Sequence, residues 1–178
     1  MTSMPDHAAT RPNRLPWPPL IYGAALVAGL GLQAFVPVGW PAAVIGWPLR
    51  GTGVLVAAAG LGFDFWALHT LRRAHTNILP HRAADHLVTH GPFALTRNPI
   101  YLGNTLLVLG IGLVLSNAWL MGAALVAAFA TDRLAARREE WHLAAKFGPA
   151  FTSYAARVPR WIGRPRPIPQ PPGGWDRS

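Results

Sequence analysis

Between Asn98 and Thr131 the chain runs for 34 residues without a formal charge. A run of that length is too long for one membrane helix, and Ser116-Asn117 sits at its middle, so it reads as a hairpin of two helices. Each arm then has about 15 residues, or about 23 Å at 1.5 Å per residue, short of the ~30 Å hydrocarbon core. The hairpin is therefore expected to stop short of a full crossing or to thin the bilayer. A second uncharged stretch runs from Leu15 to Leu49, with an apolar core from Leu20 to Val36 before Pro37, Pro41 and Pro48 break it. A third segment, Thr52 to Leu71, is interrupted by Asp64 and His69 and closed by Arg72-Arg73. These spacings predict an all-α integral membrane protein with about four transmembrane helices, two single spans followed by the hairpin.

Composition agrees with that reading. Of 178 residues 51% are hydrophobic and only 13% charged, where a soluble domain carries about 25% charged residues. The formal charge of +9 is almost all arginine, and these residues lie between the apolar stretches instead of along one amphipathic face. That distribution points to membrane lipids as partner and away from nucleic acid. The chain has no cysteine, which excludes disulfides, iron–sulfur clusters, thiolate zinc sites and a catalytic thiol.

Orientation follows from the same residues. With the N-terminus cytoplasmic, the external loop from Pro37 to Gly51 holds only Arg50 and the Ser116-Asn117 turn holds none, so fifteen of the sixteen basic residues face the cytoplasm. An N-in, C-in arrangement thus satisfies the positive-inside rule. The apolar run after Arg11 and Arg14 is longer than a signal-peptide core and follows a long polar lead, so it reads as an anchor helix. Residues 1–19 form a polar tail, 20–161 the membrane domain, and 162–178 a Pro/Gly-rich tail expected to be extended or disordered. Beyond Thr131 the chain turns polar, and Leu143, Phe147, Phe151, Tyr154 and Val158 recur at helical spacing. That stripe is a packing face, interrupted where Gly148-Pro149 would end one helix and begin the next.

Residues able to carry chemistry gather around the third apolar segment's start. The loop contains His75-Thr76-Asn77, Pro80, Leu87-Val88-Thr89-His90-Gly91-Pro92-Phe93 and Thr96-Arg97-Asn98-Pro99-Ile100-Tyr101. Pro99 suits the first turn of a helix. That helix start and Arg97 together favour an anionic group, a carboxylate or phosphate. Taken singly, Arg97 is also what a positive-inside flank looks like, and Tyr101 an interfacial anchor. The second cluster is Arg137-Arg138-Glu139-Glu140, in which neighbouring glutamates point about 100° apart and do not form a carboxylate dyad. Its plainer reading is a cap salt-bridged to the adjacent arginines. Asp64, inside an apolar span, calls for a partner such as Arg72 or Arg73, or for contact with substrate. The histidines His69, His75, His81, His86 and His90 lack a companion carboxylate at ligand spacing, so no metal site is expected. No GxGxxG, GxxxxGK[ST], HExxH or GxSxG motif is present.

The ordered set Leu87-Val88-Thr89-x-Gly91-Pro92-Phe93, Arg97-Asn98-Pro99-x-Tyr101-x-Gly103, an apolar hairpin, Glu139-Glu140 and Phe147-Gly148-x-x-Phe151-x-x-Tyr154-x-x-x-Val158-x-Arg160 resembles the isoprenylcysteine carboxyl methyltransferase and phospholipid methyltransferase superfamily. The likeness spans about residues 75 to 161. It implies an integral membrane methyltransferase that binds S-adenosylmethionine at the cytoplasmic face. Its pocket would be made by His90, Gly91, Pro92, Phe93, Asn98, Pro99, Tyr101, Glu139 and Glu140, with Arg97 and Glu140 as the catalytic pair. Glu139 or Glu140 would meet the cofactor's amine or ribose hydroxyls, Arg97 its carboxylate, and Tyr101 or Phe93 its sulfonium. A lipophilic acceptor would arrive through the bilayer, most simply a carboxylate, which needs no general base. The alternative is a phospholipid amine, for which His90 or Glu140 would take the proton. Asn98 stands where the superfamily more often has histidine, which removes a titrating group there. More distant possibilities are an NADPH-dependent membrane reductase and a non-catalytic lipid-binding protein.

Overall fold

The computed structural model describes residues 17–40, 46–74, 86–165 and 168. The expectations for the N-terminal tail, for His75, Thr76, Asn77, Pro80 and His81, and for most of the Pro/Gly-rich tail fall outside those residues. The described chain is all-helical: α1 (Trp17–Phe35), α2 (Trp47–Arg73), a 3-10 turn (Gly91–Ala94), α3 (Pro99–Val114), α4 (Ala118–Thr131), a π turn (Asp132–Ala136), α5 (Arg137–Phe147) and α6 (Pro149–Ala155).

Among the described residues three helical stretches are long and apolar enough to cross a membrane: α1 with 19 residues, α2 with 27, and Ala118–Phe147 with 30. The last corrects the expectation of two short hairpin arms. Only α3, at 16 residues, is short; α4 continues without a break through the π turn into α5. Polarity after Thr131 marks where the helix leaves the apolar layer, and nothing there removes a backbone donor to end it. A second correction concerns Pro48, which opens α2 instead of breaking it, because the first turn of a helix does not need its N–H. The helix accordingly starts five residues earlier than the Thr52 read from the sequence.

Helix α2 packs on α3, α3 on α4, and α1 on α4. Close backbone approach at small residues makes the α2–α3 pair. A Cβ on Gly60 would lie 2.6 Å from the Gly103 carbonyl oxygen, one on Gly53 would lie 2.7 Å from the Val114 nitrogen, and one on Gly110 would collide with Ala57. Between helices in lipid, where tails are as apolar as leucine, such close packing replaces the hydrophobic drive of water-soluble bundles. The α1–α4 contact is built the same way, with Gly29 against the fully buried Leu120. The Ser116-Asn117 turn falls where the sequence puts it. Asn117 caps α4 by accepting from the Leu120 N–H at 2.9 Å and donates to the Gly29 carbonyl at 3.1 Å, tying α1 to the hairpin.

Beyond the apolar layer the Gly148-Pro149 boundary also appears as expected. Gly148 has φ +51°, and Pro149 starts α6. The stripe packs inward: Phe151, Tyr154 and Val158 are buried together with Ala144, flanked by Leu87, Leu143 and Phe147.

Candidate functional site

The segment after α6 determines the geometry of the polar corner. Residues 158–161 run beneath the start of α3 and bind it through the backbone. The Arg97 N–H donates to the Pro159 carbonyl at 2.9 Å, while the Thr96 hydroxyl and the Asn98 amide both donate to the Arg160 carbonyl, at 2.8 and 3.1 Å. Asn98 precedes α3 in the N-cap position, yet its side chain does not cap the helix; it holds this strap instead. Pro92, Thr96 and Pro99 are among the most completely buried side chains of the molecule.

Into this corner come Arg97 from the α3 side and Glu140 from α5, joined at 2.9 Å with each side chain 3% exposed. The Arg160 Nε also donates to Glu140, at 2.8 Å, and its Nη1 reaches Asp132 at 3.2 Å. Asp132 further accepts from Arg137 and from the Trp161 indole, at 3.1 and 3.0 Å. The π turn explains the Asp132–Arg137 pair, because widening the helix to an i→i+5 repeat stacks residues five apart. Burial pulls the Arg97 guanidinium below its ordinary pKa, with Glu140 opposing that and Arg160 adding to it. For Arg160 burial acts in the same direction, but the bonds and charges of Glu140 and Asp132 outweigh it and raise the pKa.

The glutamates therefore have separate surroundings. Glu140 is buried between two arginines distant in sequence, not capped by Arg137 or Arg138 as its neighbourhood suggested. Glu139 is half-buried on the other side and accepts from the Tyr101 hydroxyl at 2.9 Å. Phe93 contributes its carbonyl, which accepts from the Tyr154 hydroxyl at 2.7 Å. Gly91 has φ +63°, and a Cβ there would lie 2.9 Å from the Thr70 hydroxyl and 3.4 Å from the Trp66 indole nitrogen, so the Gly-Pro turn sits flush on α2. His90 is exposed at the mouth of that turn. Arg97, Asn98, Pro99, Tyr101, Glu139 and Glu140 thus converge, and the 91–93 turn is held to α2 and α6 beside them. Sequence reasoning missed Asp132, Arg160 as a charge partner, and Trp161, and it placed Thr96 in the loop without its bond to the strap. Arg160 was visible only as the end of a pattern, and Asp132 as one of seven acids in the chain.

The donor set suits a sulfonium amino-acid nucleotide. Glu139 offers a carboxylate for an amine or diol, and Arg97 a cation for a carboxylate. Tyr101 and Phe93 bring aromatic groups, and the absence of a Cβ at Gly91 lets the turn that carries Phe93 pack directly on Thr70 and Trp66 of α2.

Fold and site together define an integral membrane protein whose polar centre lies at the end of its apolar helices. The family model for phospholipid methyltransferases matches residues 49–150, more than half of the chain, and the chain belongs to that family. It is 35% identical over 83 residues to the nickel-cobalt-cadmium resistance protein NccN of Alcaligenes xylosoxydans xylosoxydans, covering 47% of this chain and 38% of the relative. The cobalt-zinc-cadmium resistance protein CzcN of Cupriavidus metallidurans is 37% identical over the same length and shares. The chain therefore spans well under half the length of these curated relatives. Its fold is similar to that of the eukaryotic intramembrane Ras methyltransferase ICMT (isoprenylcysteine carboxyl methyltransferase), with TM-score 0.59 and 27% identity over 88% of this chain and 54% of that one.

Proposed function

We propose that this chain binds S-adenosylmethionine at the corner between the Gly91-Pro92 turn, the start of α3 and α5, and transfers its methyl group to a lipophilic acceptor that arrives from the bilayer. The observation that carries the reading is the separation of the two glutamates: Glu140 completes a buried charge cluster, which leaves Glu139 and its Tyr101 partner to face a ligand. The cofactor, when bound, supplies a methyl on a positively charged sulfur that is displaced in line. The chain's residues do the rest. Glu139 binds the amine or ribose hydroxyls, and the Gly91 backbone lies against the ligand. Arg97, held by Glu140 at 2.9 Å, takes the carboxylate. Glu140 and Arg160 hold Arg97 in place, so Glu140 acts as a positioning residue. Packing by Tyr101, Phe93 and Pro92 excludes water, and positioning supplies much of the rate. The arginine distribution supports a cytoplasmic position for this corner. The resemblance to the carboxyl methyltransferases favours a carboxylate acceptor, and family membership equally accommodates an amine.

Calorimetric titration of the detergent-purified protein with S-adenosylhomocysteine tests this, with Glu139→Gln and Tyr101→Phe as variants and NADPH as control. Binding to the wild type, weakened about tenfold by Glu139→Gln, is the expected result, equivalent to about 1.4 kcal/mol. A folded wild type that binds only NADPH indicates a reductase, and one that binds neither indicates a lipid-binding protein; either sinks the proposal.

A further inference from the structure

Helix α1 packs mainly on α4, but its first two turns meet α3 at the proposed cofactor corner. Trp17 lies against Tyr101, Ala135 and Ala136, together with Ile100 and Trp161. Five residues on, about 7.5 Å further along the helix, comes the buried Tyr22. Its hydroxyl lies 2.6 Å from that of Thr105 and 3.0 Å from the Tyr101 carbonyl, and the Thr105 hydroxyl donates to the same carbonyl at 2.8 Å. Two hydroxyl protons thus serve three contacts: Thr105 gives its own to the carbonyl, and Tyr22 shares its own between the Thr105 oxygen and that carbonyl. Gly103, two residues from both Tyr101 and Thr105 and so on the far face of α3, takes the Asp64 carboxylate of α2 against its backbone. The pairing of Asp64 with Arg72 or Arg73 anticipated from the sequence does not form, since Asp64 takes part in none of the ion pairs among the described residues. The start of α3 is therefore held on two faces.

Hydroxyls buried among apolar helices need partners, and that need alone could be met anywhere along α1. The place of this contact gives it a consequence. Tyr101 carries on its side chain the hydroxyl that donates to Glu139 at 2.9 Å, and on its backbone the carbonyl that α1 holds. A slide or rotation of the first turn of α3 would carry that hydroxyl away from Glu139, and a displacement of about 1 Å in a site can cost about a hundredfold in rate. The tie comes from outside the family-matched residues 49–150, because α1 precedes them.

We propose that Tyr22 is a positioning residue for the cofactor: through Thr105 and the Tyr101 carbonyl it fixes the backbone from which the Tyr101 hydroxyl reaches Glu139. This rests on the methyltransferase reading above and adds α1 to the elements that build its site. Tyr22 touches neither cofactor nor acceptor; it acts through Tyr101. Its ring packs in the α1–α3–α4 core with Val108 and Leu120, so the ring serves stability and the hydroxyl serves the site. The two roles separate in Tyr22→Phe, which keeps the ring and removes the hydroxyl.

The test is calorimetric titration of the detergent-purified full chain with S-adenosylhomocysteine, as wild type, Tyr22→Phe, Tyr101→Phe and the double variant, with thermal midpoints measured in parallel. Trp119→Phe is the control, because Trp119 ties the other end of α1 to the hairpin by donating to the Val36 carbonyl at 2.8 Å. Expected is binding weakened about fivefold by Tyr22→Phe and at least as much by Tyr101→Phe. The double variant should bind no more weakly than Tyr101→Phe alone, since Tyr22 acts only through the hydroxyl that Tyr101→Phe removes. Trp119→Phe should lower the thermal midpoint and keep the affinity. Thr105→Val removes the other hydroxyl at nearly constant volume; it should match Tyr22→Phe, and it carries the test if that variant does not fold. Unchanged affinity in folded Tyr22→Phe, effects of Tyr22→Phe and Tyr101→Phe that simply add, or an equal loss in Trp119→Phe would mean that the contact only holds helices together, and each overturns the assignment. Failure of S-adenosylhomocysteine to bind the wild type instead removes the methyltransferase reading itself, and the assignment with it.

Discussion

At the scale of single residues the site is a matter of charges that compensate one another out of water. Glu140 has two arginine partners, and removing it takes a carboxylate from the buried Arg97 and leaves Arg160 with Asp132. Glu140→Ala should therefore cost about 3–5 kcal/mol, read as a large fall in thermal midpoint in detergent, while Glu139→Gln leaves the midpoint almost unchanged. Tyr154 offers a pH signature. Burial raises its hydroxyl's pKa, with the Arg97 charge opposing. The unfolded chain then loses this proton first, so the contribution to stability is whole below about pH 10 and falls as pH rises beyond it. Tyr154→Phe should lose about 1 kcal/mol at neutral pH with the bond to the Phe93 carbonyl, and its alkaline unfolding should be shallower, measured as denaturation midpoint against pH. The sequence identified Arg97, Tyr101 and both glutamates as a group. It did not show that Glu140 answers Arg97 and Arg160, because adjacent Arg137 and Arg138 are the obvious partners when only spacing is visible.

At the scale of elements, glycines separate into those that set a helix contact and those that face open space. Gly110→Ala drives a methyl into α2, and Gly60→Ala drives one into the α3 backbone, neither of which can yield without parting the helices. Gly23→Ala and Gly62→Ala meet nothing and should gain about 0.5–1 kcal/mol from helix propensity. Thermal midpoints of the four single variants, in one detergent, check the division. Boundaries that rest on local chemistry were legible in the sequence: the Ser116-Asn117 turn, Pro99 at the start of α3, and the Gly148-Pro149 junction. The continuation of α4 through Asp132–Ala136 was not. A change from apolar to polar residues records where a helix emerges from lipid, and the π turn inside it follows from tertiary contacts that no local signal announces.

At the scale of the whole molecule, the 16-residue α3 stands between helices of 27 and 30 residues, so one member of the bundle is too short for the layer the others match. Because the chain has no cysteine, single replacements report its placement cleanly. With the positive-inside orientation, Leu115→Cys should react with an impermeant maleimide from the outer face only, and Arg164→Cys from the cytoplasmic face only, in sealed vesicles of each orientation. Reaction of Leu115→Cys from the inner face would mean that the hairpin turns back within the bilayer. The strap at residues 158–161 imposes an order of events on biosynthesis. The helices can enter the membrane one after another as they are translated, but the corner that holds Arg97 acquires its floor only when Pro159 and Arg160 have left the ribosome. A nascent chain interrupted before that point would carry every described helix and an unfinished site, giving cellular quality control a ready distinction between inserted and completed protein.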